Sequence, residues 1–484
     1  MKLYNTLTRS VEEIKPLAAP KVTIYTCGPT VYDYPHIGNW FTFIRYDLLV
    51  RALKANGLGP VWVMNITDVG HLVSDADDGE DKLEKGARRE GKTAWDVAKF
   101  YGDYFVEGLK RLNISAPNFL PKATEHIAEQ IELIKTLEEK GFTYVIDDGV
   151  YYDTSKFEGY EALARLDLDD QQAGARVAFN AQKHNSSDFA LWKFSPKGQK
   201  RDMEWDSPWG KGFPGWHIEC SAMSKKYLGD TLDIHAGGID HLPVHHTNEI
   251  AQSEAATGKR FANYWMHTNH VLIDGDKISK SLGNGITLED IEKQGYSLEV
   301  LRVLVLQSHY RTQSKLNDAS LLSAYARLTD LQKFAQLCFQ PNVVNEKYGR
   351  FSVEDVEYAR QDLLNAMNDD LATPKVMSML SEYDRNIRRD WLKDQAAFKA
   401  LRELIEFVDD LLGLSLTNQS DLTKEQRELI QKEDMLWRKA KNGEASFADV
   451  DEIKKKLMSH HIVVSNFNDS KPLWLRTGTG RKED

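Results

Sequence analysis

The segment that most limits the fold lies between residues 21 and 66. Lys21-Val-Thr-Ile-Tyr-Thr26 alternates as a strand does, and Cys27-Gly-Pro-Thr-Val-Tyr-Asp-Tyr-Pro35 follows as a loop. Helical periodicity then runs from Gly38 through Leu48, Leu49 and Leu53 to a stop at Gly57. A second strand follows at Gly59-Pro-Val-Trp-Val-Met-Asn-Ile66. Strand, helix and strand in this order predict a βαβ unit, hence an α/β fold with a parallel sheet covered by helices. Ligands of such sheets gather at the carboxyl ends of the strands, where Cys27 and His36 would both lie.

The chain has 484 residues, too many for one compact core, and its texture changes along the way. Residues from about Lys122 to Gly210 mix helix (Glu125 to Lys140) with turn-rich pieces such as Gly149-Val-Tyr-Tyr-Asp153, as an insertion between two halves of the sheet would. The helix–strand rhythm returns from Trp216 to Ile273. Thr287 then caps a helical run, and helical periodicity continues to about Lys432 before a smaller mixed segment. No apolar run reaches membrane-spanning length, and Met1 to Ser10 lacks an apolar signal core, so a cytoplasmic protein is expected. Three cysteines, Cys27, Cys220 and Cys338, cannot build a disulfide framework. A net charge of −11 speaks against a general nucleic-acid coating protein, although from Gln431 onward 11 Lys+Arg face 9 Asp+Glu.

Three clusters carry chemistry. Pro35-His36-Ile-Gly-Asn39 opens the first helix, and a helix N-terminus offers unpaired N–H groups and a positive dipole end to a phosphate. Gly38 allows close approach, and His36 can donate to an α-phosphate; taken alone, an ordinary helix start would show the same residues. Asp276-Lys277-Ile-Ser-Lys280-Ser281-Leu-Gly-Asn284 suits a clamp on a leaving pyrophosphate, or by itself a solvated basic turn. In this order, with a βαβ pattern around the first, the two become specific. The third cluster combines a helix at Trp216-His217-Ile-Glu-Cys220 with His245 and Glu249, which fall on one helical face at i and i+4. Adding Cys27 gives a candidate Cys–Cys–His–Glu zinc site, against the plainer account of two buried small hydrophobes. Seven of the 14 histidines (217, 235, 241, 245, 246, 267 and 270) crowd between Trp216 and His270, as around a metal and its surroundings. Cys338, in Phe334-Ala-Gln-Leu-Cys-Phe339, reads as helix core.

At these residues the chain resembles the cysteinyl-tRNA synthetases, a family of class I aminoacyl-tRNA synthetases. The matching stretches are Thr26-Cys-Gly-Pro-Thr-Val-Tyr-Asp33, Asn65-Ile-Thr-Asp68, Asp188-Phe-Ala-Leu-Trp-Lys193, Gly215-Trp-His-Ile-Glu-Cys-Ser-Ala-Met223 and His245-His-Thr-Asn-Glu-Ile-Ala-Gln-Ser-Glu254. To these are added the KISKS loop, Asp370-Leu-Ala-Thr-Pro374 and Phe447-Ala-Asp-Val-Asp-Glu-Ile453. The resemblance implies one Zn²⁺ per chain on Cys27, Cys220, His245 and Glu249. It implies ATP, with Mg²⁺, against His36, Gly38, Asn39 and Lys280, and catalysis by His36, Asn39, Lys277 and Lys280. It places Gly28, Thr67, Trp216, His217, His235 and His246 near the substrate cysteine. The sequence departs from the family pattern at Asn39 (the second His of HIGH), at Ile278 (the Met of KMSKS) and at Val69-Gly-His-Leu72. Asn39 can donate a hydrogen bond but cannot carry charge.

The implied architecture is a Rossmann-like catalytic domain in two halves, 1–121 and 211–286, around a connective insertion at 122–210. A stem-contact region (287–330), an anticodon-binding helical bundle (331–430) and a small C-terminal domain (431–484) follow. The expected partners are L-cysteine, ATP and tRNA(Cys), with no membrane, and the chain is expected to be a monomer. Carboxylate attack on the ATP α-phosphate would give cysteinyl-adenylate, and zinc–thiolate contact would separate cysteine from serine, since apolar contacts supply only about 1–3 kcal/mol. Trp437, Arg438, Lys439, Lys441, Trp474 and Arg476 combine aromatic and basic character suited to unpaired bases, although each is singly better explained as core or surface. Asp75 to Asp81 reads as a solvated acidic loop rather than a calcium site. Two other functions share the catalytic residues: a cysteine-activating ligase acting on a non-tRNA amine, and a catalytically impaired zinc- and RNA-binding paralogue. The long extension beyond KISKS argues against the first, and intact Lys277 and Lys280 against the second.

Overall fold

The computed structural model describes residues 1–70, 81–164, 181–196, 198, 201–273, 276–277, 285–418, 421–466 and 472–476. The chain divides into two compact units. One is Met1–Val271 with Lys277–Thr287 and Tyr310–Gln313; the other is Leu272–Asp276 with Leu288–His309 and Ser314–Asp484.

The first unit is built on four parallel strands, β1 (Lys21–Thr26), β2 (Gly59–Met64), β3 (Leu232–Gly238) and β4 (Ala262–Thr268), in the spatial order β4–β3–β1–β2. Helix α1 (Ile37–Ala55) joins β1 to β2, the crossover the sequence predicts. The alternation read in β1 does not correspond to two faces of unlike polarity: every residue but Lys21 is buried, because a parallel sheet is covered on both sides. Asp233, at 1% exposure, ties the sheet to its leading edge by accepting from the N–H groups of Leu17 (2.6 Å) and Thr23 (2.7 Å) and the Thr23 hydroxyl (2.8 Å). Two further helices, α2 (Trp216–Leu228) and α3 (His245–Thr257), complete the return half.

Between the halves lies an antiparallel sheet of Thr143–Ile146, Gly149–Tyr152, Phe189–Phe194 and Gly212–Pro214, in that order. Its last strand reaches past residue 210, the expected end of the insertion. Pairing with Phe189–Phe194, rather than composition, sets that edge.

The second unit is mainly helical. Its principal helices are Leu298–Leu306, Asp318–Ala335, Val353–Met367, Thr373–Asp390, Gln395–Leu412, Lys424–Lys441 and Phe447–Ser459, followed by an antiparallel pair, Ile462–Ser465 with Leu473–Arg476. Side-chain caps open most of them: Asn317 accepts from Ser320 N–H, Ser352 from Asp355, Asp394 from Ala397 and Thr423 from Gln426. Two expected boundaries, 330/331 and 430/431, fall inside Asp318–Ala335 and Lys424–Lys441, since an amphipathic helix runs through a change in composition without breaking. Trp474 is core, 4% exposed and clustered with Ile430, Ile453, Leu457, Ile462 and Val464. Its N–H and carbonyl are held by the Gln340 amide (2.8 and 2.9 Å). Trp437 instead carries Lys441 Nζ 5.2 Å above its ring. Cys338 sits in a short 3₁₀ turn, Gln336–Phe339, where burial pushes its thiol up to about 12.

Candidate active site and metal centre

A cavity of about 310 Å³ opens at the carboxyl ends of the parallel strands. Cys27 to Thr30 and Tyr32 to Tyr34 after β1, Gly238 to His241 from the end of β3, and Thr268 to Val271 from the end of β4 form its walls, together with His36 at the cap of α1, Gly38 and Asn39 of α1, and Trp216 of α2. The chain turns tightly here. A Cβ on Gly28 would come within 1.7 Å of the Asn65 carbonyl oxygen, and one on Gly237 within 2.3 Å of the His246 ring. At the N-terminus of α1 the His36 N–H donates to Asn39 Oδ1 at 3.1 Å. Asn39 stands where the family pattern has His. Its oxygen closes the helix start, and its Nδ2 remains a donor beside the cavity.

Cys27 also belongs to a buried cluster. The donor atoms of Cys27, Cys220, His245 and Glu249 all lie within 4.8 Å of one another, and all four residues are buried. Cys27 follows β1, Cys220 lies on α2, and His245 and Glu249 stack one turn apart on α3 with Nε2 and Oε1 at 2.8 Å. Other histidines brace three of the four. His246 Nε2 lies 3.2 Å from Cys27 Sγ, His235 Nε2 2.7 Å from Glu249 Oε2, and His217 Nδ1 2.9 Å from His245 Nδ1. His267 continues outward, bonded to His246 Nδ1 (2.8 Å) and to the Thr6 hydroxyl (2.9 Å).

Burial and mutual contacts shift the titration of all four groups. Burial raises the Cys27 thiol well above its ordinary range, whereas the hydrogen bond from Cys27 lowers Cys220. For Glu249 burial acts upward, but His235 and His245 outweigh it and hold the carboxyl well below its usual range. For His245 burial acts downward, and Glu249 and Cys220 lift it to about 10. Two sulfurs, one imidazole and one carboxylate, converging within tetrahedral reach and three of them held by further histidines, fit a zinc ion. A second grouping, Cys27, His235, His246 and Glu249, meets the same 4.8 Å criterion. It leaves Cys220 without a metal beside it, whereas the first grouping leaves His235 and His246 as partners of its own ligands.

The family model described as "tRNA synthetases class I (C) catalytic domain" matches residues 13–326, and the "DALR domain" model matches 364–417. The cysteine--tRNA ligase of Treponema denticola is 41% identical over 488 residues, covering 96% of this chain and 98% of that one. The chain belongs to the cysteinyl-tRNA synthetase family. The corresponding ligases of Clostridioides difficile (40% identical, 96% and 98% covered) and Finegoldia magna (38%, 99% and 100%) match at similar breadth. A methionyl-tRNA synthetase of Mycobacterium tuberculosis, solved with methionyl-adenylate, shares the fold at a TM-score of 0.58 and 14% identity, covering 82% of this chain and 92% of that one. The chain is thus an aminoacyl-tRNA ligase of class I, with a parallel sheet and a helical DALR region. Among the described residues, no helix is long and apolar enough to cross a membrane.

Set into this synthetase fold, the residues singled out from sequence fall into three groups. Gly28, His36, Gly38, Asn39 and Trp216 line the cavity with Cys27. His217, Cys220, His235, His245, His246 and Glu249 form the buried cluster, and Trp216 links the two, its ring 4.4 Å from that of His245. Thr67 lies behind the cavity wall at 2% exposure. Lys277 ends a two-residue strand, Asp276–Lys277, while Lys280, Ile278 and the rest of the KISKS loop lie outside the described residues. So do residues 75–80 of the acidic loop and Val69-Gly-His-Leu72 beyond Gly70; Asp81 caps the helix Lys82–Glu90. Sequence reasoning gave no role to Asn65, Glu219 or the lining residues Asp240, Thr268 and Asn269. Thr268 ends β4 and Asn269 follows it, while Asp240 lies two residues past β3, so all three stand at carboxyl ends of strands whose bounds the sequence alone did not place. Asn65 and Glu219 lie in stretches that carry the family resemblance, but nothing in the sequence gave them a role, because their partners are distant in the chain.

Proposed function

We propose that this synthetase attaches L-cysteine to tRNA(Cys) through a cysteinyl-adenylate, acting in the cytoplasm, with zinc on Cys27, Cys220, His245 and Glu249. The observation that carries this is the dual position of Cys27, which lines the cavity and belongs to the four-residue donor cluster. A zinc ion there supplies preference for a thiol over a hydroxyl, because sulfur is the softer donor and loses its proton near neutral pH. His235, His246 and His217 fix the rotamers of the ligand residues by the hydrogen bonds described above. Trp216 lines the cavity with its ring 4.4 Å from that of His245 in the cluster. The Ile37 N–H is taken by the Ile286 carbonyl (2.8 Å) and the Asn39 N–H by the His36 carbonyl (2.9 Å), so the Gly38 N–H, with the His36 ring and the Asn39 side-chain amide, receives the α-phosphate of Mg²⁺-bound ATP as charge builds on it. Lys277 and Lys280 clamp the leaving pyrophosphate. Residues 287–430 and 431–484 contact the tRNA, with Trp437 rather than Trp474 as the aromatic surface on offer.

The test is ATP–pyrophosphate exchange with each amino acid in turn. Cysteine alone should drive exchange, a zinc chelator should abolish it, and added zinc should restore it. Exchange driven by another amino acid, or indifferent to chelation, would refute the assignment.

A further inference from the structure

The wall behind Gly28 and Trp216 carries a hydrogen-bond chain that no step above uses. The Gly28 N–H donates to Asn65 Oδ1 (2.8 Å), Asn65 Nδ2 donates to Thr67 Oγ1 (3.0 Å), and the Thr67 hydroxyl donates to Glu219 Oε2 (3.0 Å). Thr67 is pinned against the same loop, its N–H donating to the Pro29 carbonyl and its carbonyl accepting from Val31 N–H, both at 3.0 Å. The direction of the chain is fixed throughout. A backbone N–H can only donate, so Asn65 must present Oδ1 to Gly28 and Nδ2 to Thr67. A carboxylate only accepts, so the single hydroxyl proton of Thr67 is committed to Glu219. The Thr67 oxygen can offer a further ligand only a lone pair.

Charge points the same way. Glu219, at 0% exposure, sits in the first turn of α2 immediately before Cys220. Asp68, which follows Thr67, is 7% exposed and accepts from Thr124 N–H and Oγ1. Burial, with a further contribution from Glu219, raises the Asp68 carboxyl. Two buried carboxylates with a hydroxyl locked as acceptor suit a ligand that brings positive charge and N–H donors.

We propose that Glu219 is a positioning residue for the α-ammonium group of the amino-acid substrate, acting through the Thr67 hydroxyl it orients and through its own buried charge. This rests on the cysteine-activating function proposed above. Thiol capture by the metal cluster and ammonium capture by the Glu219–Thr67 pair would then read the two ends of one small ligand.

The experiment compares two thiols on the zinc-loaded full-length chain by calorimetric titration. L-cysteine carries the ammonium group; 3-mercaptopropionate keeps the thiol and carboxylate but lacks it. Glu219→Gln should weaken cysteine binding by at least about tenfold, the scale of one hydrogen bond to a charged group, and leave 3-mercaptopropionate unchanged. Thr67→Val should reproduce that split, and Thr67→Ser, which keeps the hydroxyl, should bind cysteine as the parent chain does; this pair carries the test if Glu219→Gln does not fold. Equal weakening of both thiols, or unaltered cysteine binding in Glu219→Gln and Thr67→Val, would overturn the proposal. Failure of 3-mercaptopropionate to bind the parent chain would overturn the thiol-capture function beneath it, and this inference with it.

Discussion

Helices α2 and α3 of the catalytic unit and the helix Gln395–Leu412 of the helical unit are each largely buried on one side, yet they bury opposite kinds of residue. Gln395–Leu412 hides Ala397, Ala400, Leu401, Leu404, Ile405, Val408, Leu411 and Leu412, an unbroken apolar stripe. The two catalytic helices hide His217, Glu219, Cys220, Ser221, His245, His246, Asn248, Glu249 and Gln252. Burying polar groups costs free energy unless each is paired, so a helix that does so repeatedly is not shaped by stability alone.

The largest effect that sharpens this contrast is on the metal. Cys220→Ser should lower zinc affinity by more than about 100-fold, beyond the loss typical of a supporting residue, while circular dichroism shows the helices intact. Loss of ATP binding with zinc retained would break the contrast. Next comes Leu404→Ala, at a 1% exposed position. It should cost about 2–5 kcal/mol in denaturant unfolding and leave zinc content and cysteine-dependent pyrophosphate exchange unchanged at 25 °C. Smaller still is His246→Gln, which removes a brace from Cys27 Sγ. Its zinc affinity, measured by chelator competition, should fall by about 10–100-fold with little change in melting temperature.

From sequence the helical unit was legible as a helical run from Thr287 to about Lys432, and not as separate helices, although local signals lie within it. Ser352 three residues before Asp355, Thr423 three before Gln426, and Gly413 at φ 65° after Leu412 are start and stop signals that act over single turns. Its subdivision was not legible, because helices such as Lys424–Lys441 cross the points where composition changes. In the catalytic unit the βαβ start could be read from Lys21 to Ile66, and the metal candidates from their residue types and crowding. Which strand faces are buried could not be read, because β1 is covered on both sides. Nor could the Gly28–Asn65–Thr67–Glu219 chain, whose links span up to 152 residues of sequence and leave no periodic trace.

The central claim is that Cys27, Cys220, His245 and Glu249 hold one ion that meets the substrate's sulfur. X-ray absorption at the zinc edge, with and without L-cysteine, tests it most directly. Two sulfur scatterers at about 2.3 Å with nitrogen and oxygen neighbours are expected in the free protein, and a third sulfur once cysteine is added. A shell with one sulfur or none, or one that cysteine leaves unchanged, would contradict the account.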